Sequence, residues 1–295
     1  MGKWYDTKIK IENTDKYKIY PNTAHPKISS LIKQKCVTEK IILLNKHNLR
    51  NILSINVYSR YLAKNADAFN DKYFLYSQGD KIHTDINLPI ICKVTDLAHS
   101  HIITKLNDKR HWGLIPAVKQ NDIAFNLKKN SIVWRGVTTG YNKRNPVVER
   151  FYSHPIFDIG FNQCVQGETP AMPIKDKLNM KQQLAYKFIL SIEGNDVASG
   201  LKWQLYSNSV VIMAKPTCVS WAMEDTLVPY VHYIPVKDDY SDLEEMFYWG
   251  LAHEAECIAI SKAANAFIEQ FLNDKKEHRI HRHIIKRYIQ NVTLG

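Results

Sequence analysis

From about residue 130 onwards, short apolar runs alternate with stretches of helical spacing, and this alternation restricts the fold more than any other feature. Ile132-Val133-Trp134, Phe157-Asp158-Ile159-Gly160, Phe188–Ile192, Val210–Met213 and Val231–Val236 read as strands. Most of these runs are too short for helices and lack the polar alternation of a strand with one wet face. Strands buried on both faces need helical crossovers to cover them, which is the arrangement of a parallel α/β sheet. A helix is predicted over Asp176–Ala185. Pro146 suits a first helical turn, and Ser241 with Glu244 three residues on has the form of a capping box. Ala252–Leu272 has the spacing of one long helix, and the basic tail Lys275–Gln290 that of another.

The front half is less regular. Residues 1–25 read as an extended arm, and Lys27 to about Lys64 as two helices with a break near Asn45. Tyr73-Phe74-Leu75-Tyr76 and Leu88–Val94 read as strands, the first ending in a turn at Gln78-Gly79-Asp80. These contrasts define a front domain over 1–129, a back domain over 130–272 and a basic helical tail over 273–295, placed to pack back on the front domain.

The charge balance bounds the partners. In 295 residues, 40 Lys and Arg against 29 Asp and Glu give a net charge of +11. Such a surface attracts nucleic acid, phospholipid, nucleotides or acidic glycans, although a Lys-rich soluble protein shows the same balance. Nucleic acid is the less expected partner, because the aromatics are not interleaved with the basic run Lys275–Arg287 as a stacking platform requires. The five cysteines form no CxxC pair, which predicts reduced thiols and no structural zinc. MGKWYDTKIK has no apolar signal core, and no run of about 18 apolar residues is present. A protein of a reducing, cytoplasmic compartment is expected.

A parallel sheet binds ligands outside the carboxyl ends of its strands. Arg135, Asp196 and Lys237 sit at such ends. In KFILSIEGNDVASGLKW (187–203), a helix start is expected near Asp196-Val197-Ala198. Its free N–H groups and dipole would hold an anion, with Gly194 and Gly200 admitting the ligand and Lys202 adding charge. The alternative is an ordinary strand–helix joint capped by Asp196 or Ser199. In WRGVTTGYNKRNP (134–146), Arg135, Lys143 and Arg144 would neutralise a diphosphate while Thr138 and Thr139 donate hydrogen bonds. The alternative there is a solvated turn.

These stretches, followed by SNSVV and LVPYVHYIPVKDDYSDLEE, occur in an order that resembles glycosyltransferase family 90. That family contains capsule-associated xylosyltransferases and protein O-glucosyltransferases. The resemblance is dense across about 130–260 and traceable from Tyr73 to Trp112. It implies an α/β fold of GT-B type, with two Rossmann-like domains facing across a cleft and the sugar nucleotide held mainly by the back one. It also implies inverting transfer without metal or bound cofactor, from UDP-xylose first and UDP-glucose second, to a hydroxyl of a glycan.

The resemblance assigns roles residue by residue. Arg144 stands in the place of the diphosphate arginine. Arg135, Thr138, Thr139, Asp196, Ser199 and Lys202 complete the donor pocket, with Glu224 accepting from the ribose hydroxyls. Gly200 stands where the family often has Arg, and Lys202 is the substitute. The family's general base follows a buried strand, which here makes Asp80 the base, with Asp85 and Asp96 in reserve. Arg110, His111 and Trp112 would line the acceptor cleft. His278, His281 and His283 read as part of a solvated basic helix rather than as zinc ligands. A second rival reading is an inactive, glycan-binding member of the family.

Overall fold

A computed structural model of the chain describes residues 41–44, 62, 74–77, 79, 90–97, 101–106 and 108–291. The chain divides into two compact units. One holds residues 1–108, 218–221 and 270–295, the other residues 109–217 and 222–269.

In the first unit, β1 (Ile41–Leu44) is a strand where a helix was expected. Its four consecutive large aliphatic residues pair antiparallel with β2 (Phe74–Ser77), Ile42 opposite Tyr76. Strand pairing decides the state of such a short run, which spacing alone leaves ambiguous. β3 (Ile90–Cys92) pairs parallel with β2. The expected strand over Leu88–Val94 is interrupted at Lys93, and β4 (Val94–Asp96) leaves the sheet. β5 (Ile102–Ile103) closes a four-stranded sheet of order β1-β2-β3-β5. The side chains of β2 and β3 are all buried, as expected of strands covered on both faces.

The second unit opens with α1 (Asp108–Trp112), whose first residue belongs to the other unit, and α2 (Ile115–Asn121). Its sheet comprises β6 (Lys129–Val137), β7 (Asp158–Gln163), β8 (Tyr186–Ser191), β9 (Val210–Ala214) and, after the short β10 (Cys218–Ser220), β11 (Ile234–Val236). β10 belongs to the first unit and pairs antiparallel with β4. The five-stranded sheet runs β11-β9-β8-β6-β7 with every pairing parallel. In sequence order its strands stand 2-1-3-4-5, a doubly wound, Rossmann-like arrangement.

Helices fill the connections. They are α3 (Tyr141–Phe151) between β6 and β7, α4 (Met180–Gln183) before β8, and α5 (Leu201–Leu205) before β9. After β11 come α6 (Leu243–Ala252) and α7 (Glu254–Glu269). On one face Phe188, Leu190, Ile132, Ile159 and Ile212 pack with Phe151 of α3 and Phe247 of α6. Gly250 of α6 lets that helix approach closely, since a Cβ there would stand 2.7 Å from the Phe188 ring. Val133, Ile189 and Val211, also buried, alternate to the other face.

Several expected boundaries move. Gly140, at φ 67, starts α3 at Tyr141, so Pro146 lies inside the helix rather than in its first turn. Residue 146 is exposed, so water reaches the carbonyl that its missing N–H leaves unbonded. Asn179 and Gln182 form a reciprocal capping box that delays α4 to Met180. At α6 the cap falls on Asp242 without a side-chain cap bond, because its Oδ1 accepts from Lys237 N. The long helix expected over Ala252–Leu272 is broken at His253. The strand expected from Val231 begins only at Ile234, because Tyr230, at φ 58, folds its N–H back onto the Tyr233 carbonyl.

The last helix, α8 (Asp274–Asn291), belongs to the first unit. Tyr288 Oη accepts a hydrogen bond from Leu75 N at 3.0 Å, and Trp221 Nε1 donates to Glu277. The four described cysteines, Cys92, Cys164, Cys218 and Cys257, are unbridged. Burial pushes the Cys92 and Cys257 thiols up to about 12, which leaves both inert.

Candidate active site

The chain turns outward from β6 to β7 in one direction and from β8 to β9 in the other. The loops leaving β6 and β8 therefore part above the sheet, and a doubly wound fold binds its ligand in that crevice. Residues 138–140 form one wall and residues 192–200 the other.

Two glycines bring the walls together. A Cβ on Gly140 would overlap the Gly194 backbone, and Gly140 also has φ 67, so a side chain is excluded twice. Gly140 N donates to Asn195 Oδ1 at 2.8 Å. Gly194 N turns back to the Asp196 carbonyl at 2.9 Å, which makes 194–200 a turn and delays α5 to Leu201. The helix start expected at Asp196 is thereby corrected. A five-residue helix supplies little dipole, so an anion here must be held by side chains and loop amides.

Arg144 fastens the same junction. Its Nη1 donates to Val137 O and Thr139 Oγ1, its Nη2 to Ile192 O and its Nε to Glu193 O, at 2.8–3.2 Å. Of a guanidinium's five N–H donors, four are thus spent on the carboxyl ends of β6 and β8. The fifth, on Nη2, lies beside Gly194, where a Cβ would stand 2.9 Å away. Burial is the main cause that pulls Arg144 down to about 10. The positive charge of Arg110 adds to the fall, while Tyr240 and Asp196 oppose it. Arg110, exposed on α1, is therefore close enough to act on Arg144.

Neighbouring strands are tied in. Glu193 accepts from Lys143 Nζ and from Thr217 N, each at 2.9 Å, and so joins the exits of β8 and β9. Tyr240, at φ 56 after β11, donates its hydroxyl to Ser191 O at 3.2 Å. Burial raises the Tyr240 phenol well above its ordinary range and keeps it a donor.

The structure gathers some of the predicted residues and separates others. Arg144, Thr139 and Asp196 belong to the crevice, and Arg110 on α1 is near enough to act on the Arg144 charge. Thr138 is fully buried, and its Oγ1 donates to Val165 O and accepts from Val165 N, fixing the exit of β6 to the segment after β7. Arg135 is not brought to the crevice. Its guanidinium pairs at 2.7 Å with Asp158, the first residue of β7, and donates to Asp176 O. Lys202 and Glu224, assigned to diphosphate and ribose, form one buried ion pair at 2.6 Å. Ser199 is half-buried beside the crevice, His111 is buried and Trp112 half-buried. Asp80 and Asp85 lie outside the described residues, and Asp96 is the last residue of β4. Glu193, Asn195 and Tyr240 were not singled out by sequence reasoning, and only the polar turn after β8 pointed to the first two. Among the described residues, no three His, Cys, Asp or Glu side chains are grouped to hold a metal ion.

Residues 103–294 match the sequence model of Glycosyl transferase family 90. The chain is 35% identical over 196 residues to the O-glucosyltransferase LpsA of Dichelobacter nodosus, covering 66% of this chain and 59% of that protein. It is 32% identical over 87 residues to Protein O-glucosyltransferase 2 of Danio rerio, covering 30% of this chain and 17% of that one. It is also 35% identical over 121 residues to the uncharacterized protein 035R of Invertebrate iridescent virus 3, covering 40% and 11%. The chain thus spans only part of the length of these relatives.

Proposed function

The chain belongs to glycosyl transferase family 90, and from that premise we propose that it transfers glucose from UDP-glucose to a hydroxyl of a glycan acceptor. The sequence reading put xylose ahead of glucose. Two relatives whose names state an activity are O-glucosyltransferases, which reverses that order and keeps UDP-xylose as the second candidate.

The observation that carries the reading is Arg144, held where the loops leaving β6 and β8 meet, with one Nη2 donor left beside Gly194. In this reading the diphosphate lies between the residue 138–140 and 192–200 loops. It takes charge-assisted hydrogen bonds from Arg110 and from the remaining Nη2 donor of Arg144. The acceptor oxygen attacks the anomeric carbon from the face opposite the diphosphate, the bond from that carbon to the β-phosphate oxygen breaks, and UDP leaves. Asp80 takes the acceptor proton. The negative charge that develops on UDP is stabilised by the same two arginines and the loop amides. The reading includes the two-lobed GT-B arrangement, with Asp80 supplied by the first unit.

The test is a donor screen that follows UDP release from UDP-glucose, UDP-xylose and UDP-galactose, on wild type and on Asp80→Asn. Wild type is expected to favour UDP-glucose. Asp80→Asn is expected to bind UDP as well as wild type but to lose transfer by at least about 100-fold, the scale of general-base catalysis. Absence of UDP affinity in the wild type would remove the proposal.

A further inference from the structure

We propose that the solvent face of α8 docks this protein on an anionic phospholipid surface. Lys275, Arg279, Arg282 and Lys286 recur along the helix at helical spacing. With 3.6 residues per turn they fall within an arc of about 60° and span about 16 Å of helix axis. Lys275, Arg279 and Lys286 are exposed and Arg282 is half-exposed, with exposed His278 on the flank. None of the four cations is ion-paired to an acidic side chain among the described residues. The acidic residues of the helix lie off the stripe. Asp274 stands about 100° from Lys275, and Glu277 is buried and accepts from Trp221.

The opposite face is already occupied. Ile280, His281, Ile285 and Tyr288 are buried, and Tyr288 is hydrogen-bonded to Leu75 of β2. The helix therefore cannot roll to insert an apolar side into lipid. Among the described residues no helix is long and apolar enough to cross a membrane. Contact would stay at the headgroups, between a straight row of cations and a flat array of phosphates. Nucleic acid suits the stripe less well, because the one aromatic residue of the helix, Tyr288, is buried and offers no ring for stacking.

Each Lys or Arg near an anionic leaflet improves partitioning by about fivefold, so four amount to several-hundred-fold. The contact does not depend on the donor-site reading, because it rests on a different unit of the chain.

The experiment is flotation of the full chain with vesicles of phosphatidylcholine alone or mixed with phosphatidylglycerol, at low and raised salt. The comparison is a variant carrying Lys275→Glu, Arg279→Glu, Arg282→Glu and Lys286→Glu. Wild type is expected to bind only the mixed vesicles, with affinity falling as salt rises. The variant is expected to lose at least about 100-fold of that affinity while keeping its melting temperature and its UDP binding. Should charge reversal prevent folding, the same four positions changed to Gln give the reading, with loss of binding still expected. Equal partition onto both vesicle types, or a variant that binds like wild type, overturns the proposal. So does a wild type that binds duplex DNA but neither vesicle.

Discussion

Lys202 Nζ lies 2.6 Å from Glu224 Oε1, and each side chain is 1% exposed. The two residues that sequence reasoning sent to different parts of a nucleotide are paired with each other. Breaking such a pair leaves one buried charge uncompensated. Lys202→Met is therefore expected to cost about 3–5 kcal/mol of stability, and Lys202→Met with Glu224→Leu to cost far less. Urea denaturation of the single and double variants measures both. A Lys202→Met protein that stays fully stable but loses UDP affinity would return Lys202 to the ligand.

Gly140 supports a second prediction. Its φ of 67 and the overlap of any Cβ with Gly194 are separate obstacles. Gly140→Ala should lose about 1–3 kcal/mol from backbone strain and more from the clash, and the remaining folded protein should bind UDP more weakly. Gly167→Ala is the control, because Gly167 has φ 76 with nothing within 4 Å of its Cβ position. Thermal melting should separate the two, with Gly140→Ala clearly lower. Equal melting temperatures would mean that the two loops can move apart.

A third prediction concerns acid. Burial tends to raise the Asp158 carboxyl, but the hydrogen bond and charge of Arg135, the Tyr186 hydroxyl and Lys175 together hold it below its ordinary value. On acidification the unfolded chain takes up this proton first, near pH 4. The stabilisation is therefore complete above that pH and is lost as pH falls through the lower folded-state value. Asp158→Asn is expected to be less stable by about 1 kcal/mol at neutral pH, a modest figure because solvent reaches the pair. The gap should close in strong acid. A gap that stays constant across the acid range would show that the charge is not the cause.

The parallel sheet was legible because Phe188–Leu190 and Ile132–Trp134 are apolar without interruption and recur between stretches of helical spacing, the succession that strands covered on both faces produce. The region of the crevice was legible as well, since it follows from strand exits. What was not legible depends on partners distant in sequence. Lys202 meets Glu224 and Arg135 meets Asp158 only after the sheet has formed. The same holds for Gly140 against Gly194, two turn glycines whose shared role lies in their contact. The Gly194 N–H bond to Asp196 O is local, yet helix-start signals in Asp196-Val197-Ala198 concealed it. Ile41–Leu44 shows the ordinary limit of periodicity, since four aliphatic residues suit either state until a neighbouring strand selects one.

The remaining prediction separates holding the site from using it. Arg144 spends four hydrogen bonds on backbone and hydroxyl groups of β6 and β8 and on the loops that leave them, and it is 9% exposed. Removing it orphans buried carbonyls, so Arg144→Ala should cost about 2–4 kcal/mol of stability. Arg144→Lys should restore little, because an ammonium cannot reproduce the planar fork. Arg110 is exposed on a five-residue helix, so its truncation should cost less stability than that of buried Arg144. If Arg110 grips the diphosphate, Arg110→Ala should nevertheless weaken UDP binding by about 1.5–3 kcal/mol, the scale of a hydrogen bond to a charged group. Calorimetric titration with UDP, set against melting temperature for each variant, draws the distinction. An Arg110→Ala protein that binds UDP as wild type does would leave the anion to the loop amides and the single remaining Nη2 donor of Arg144.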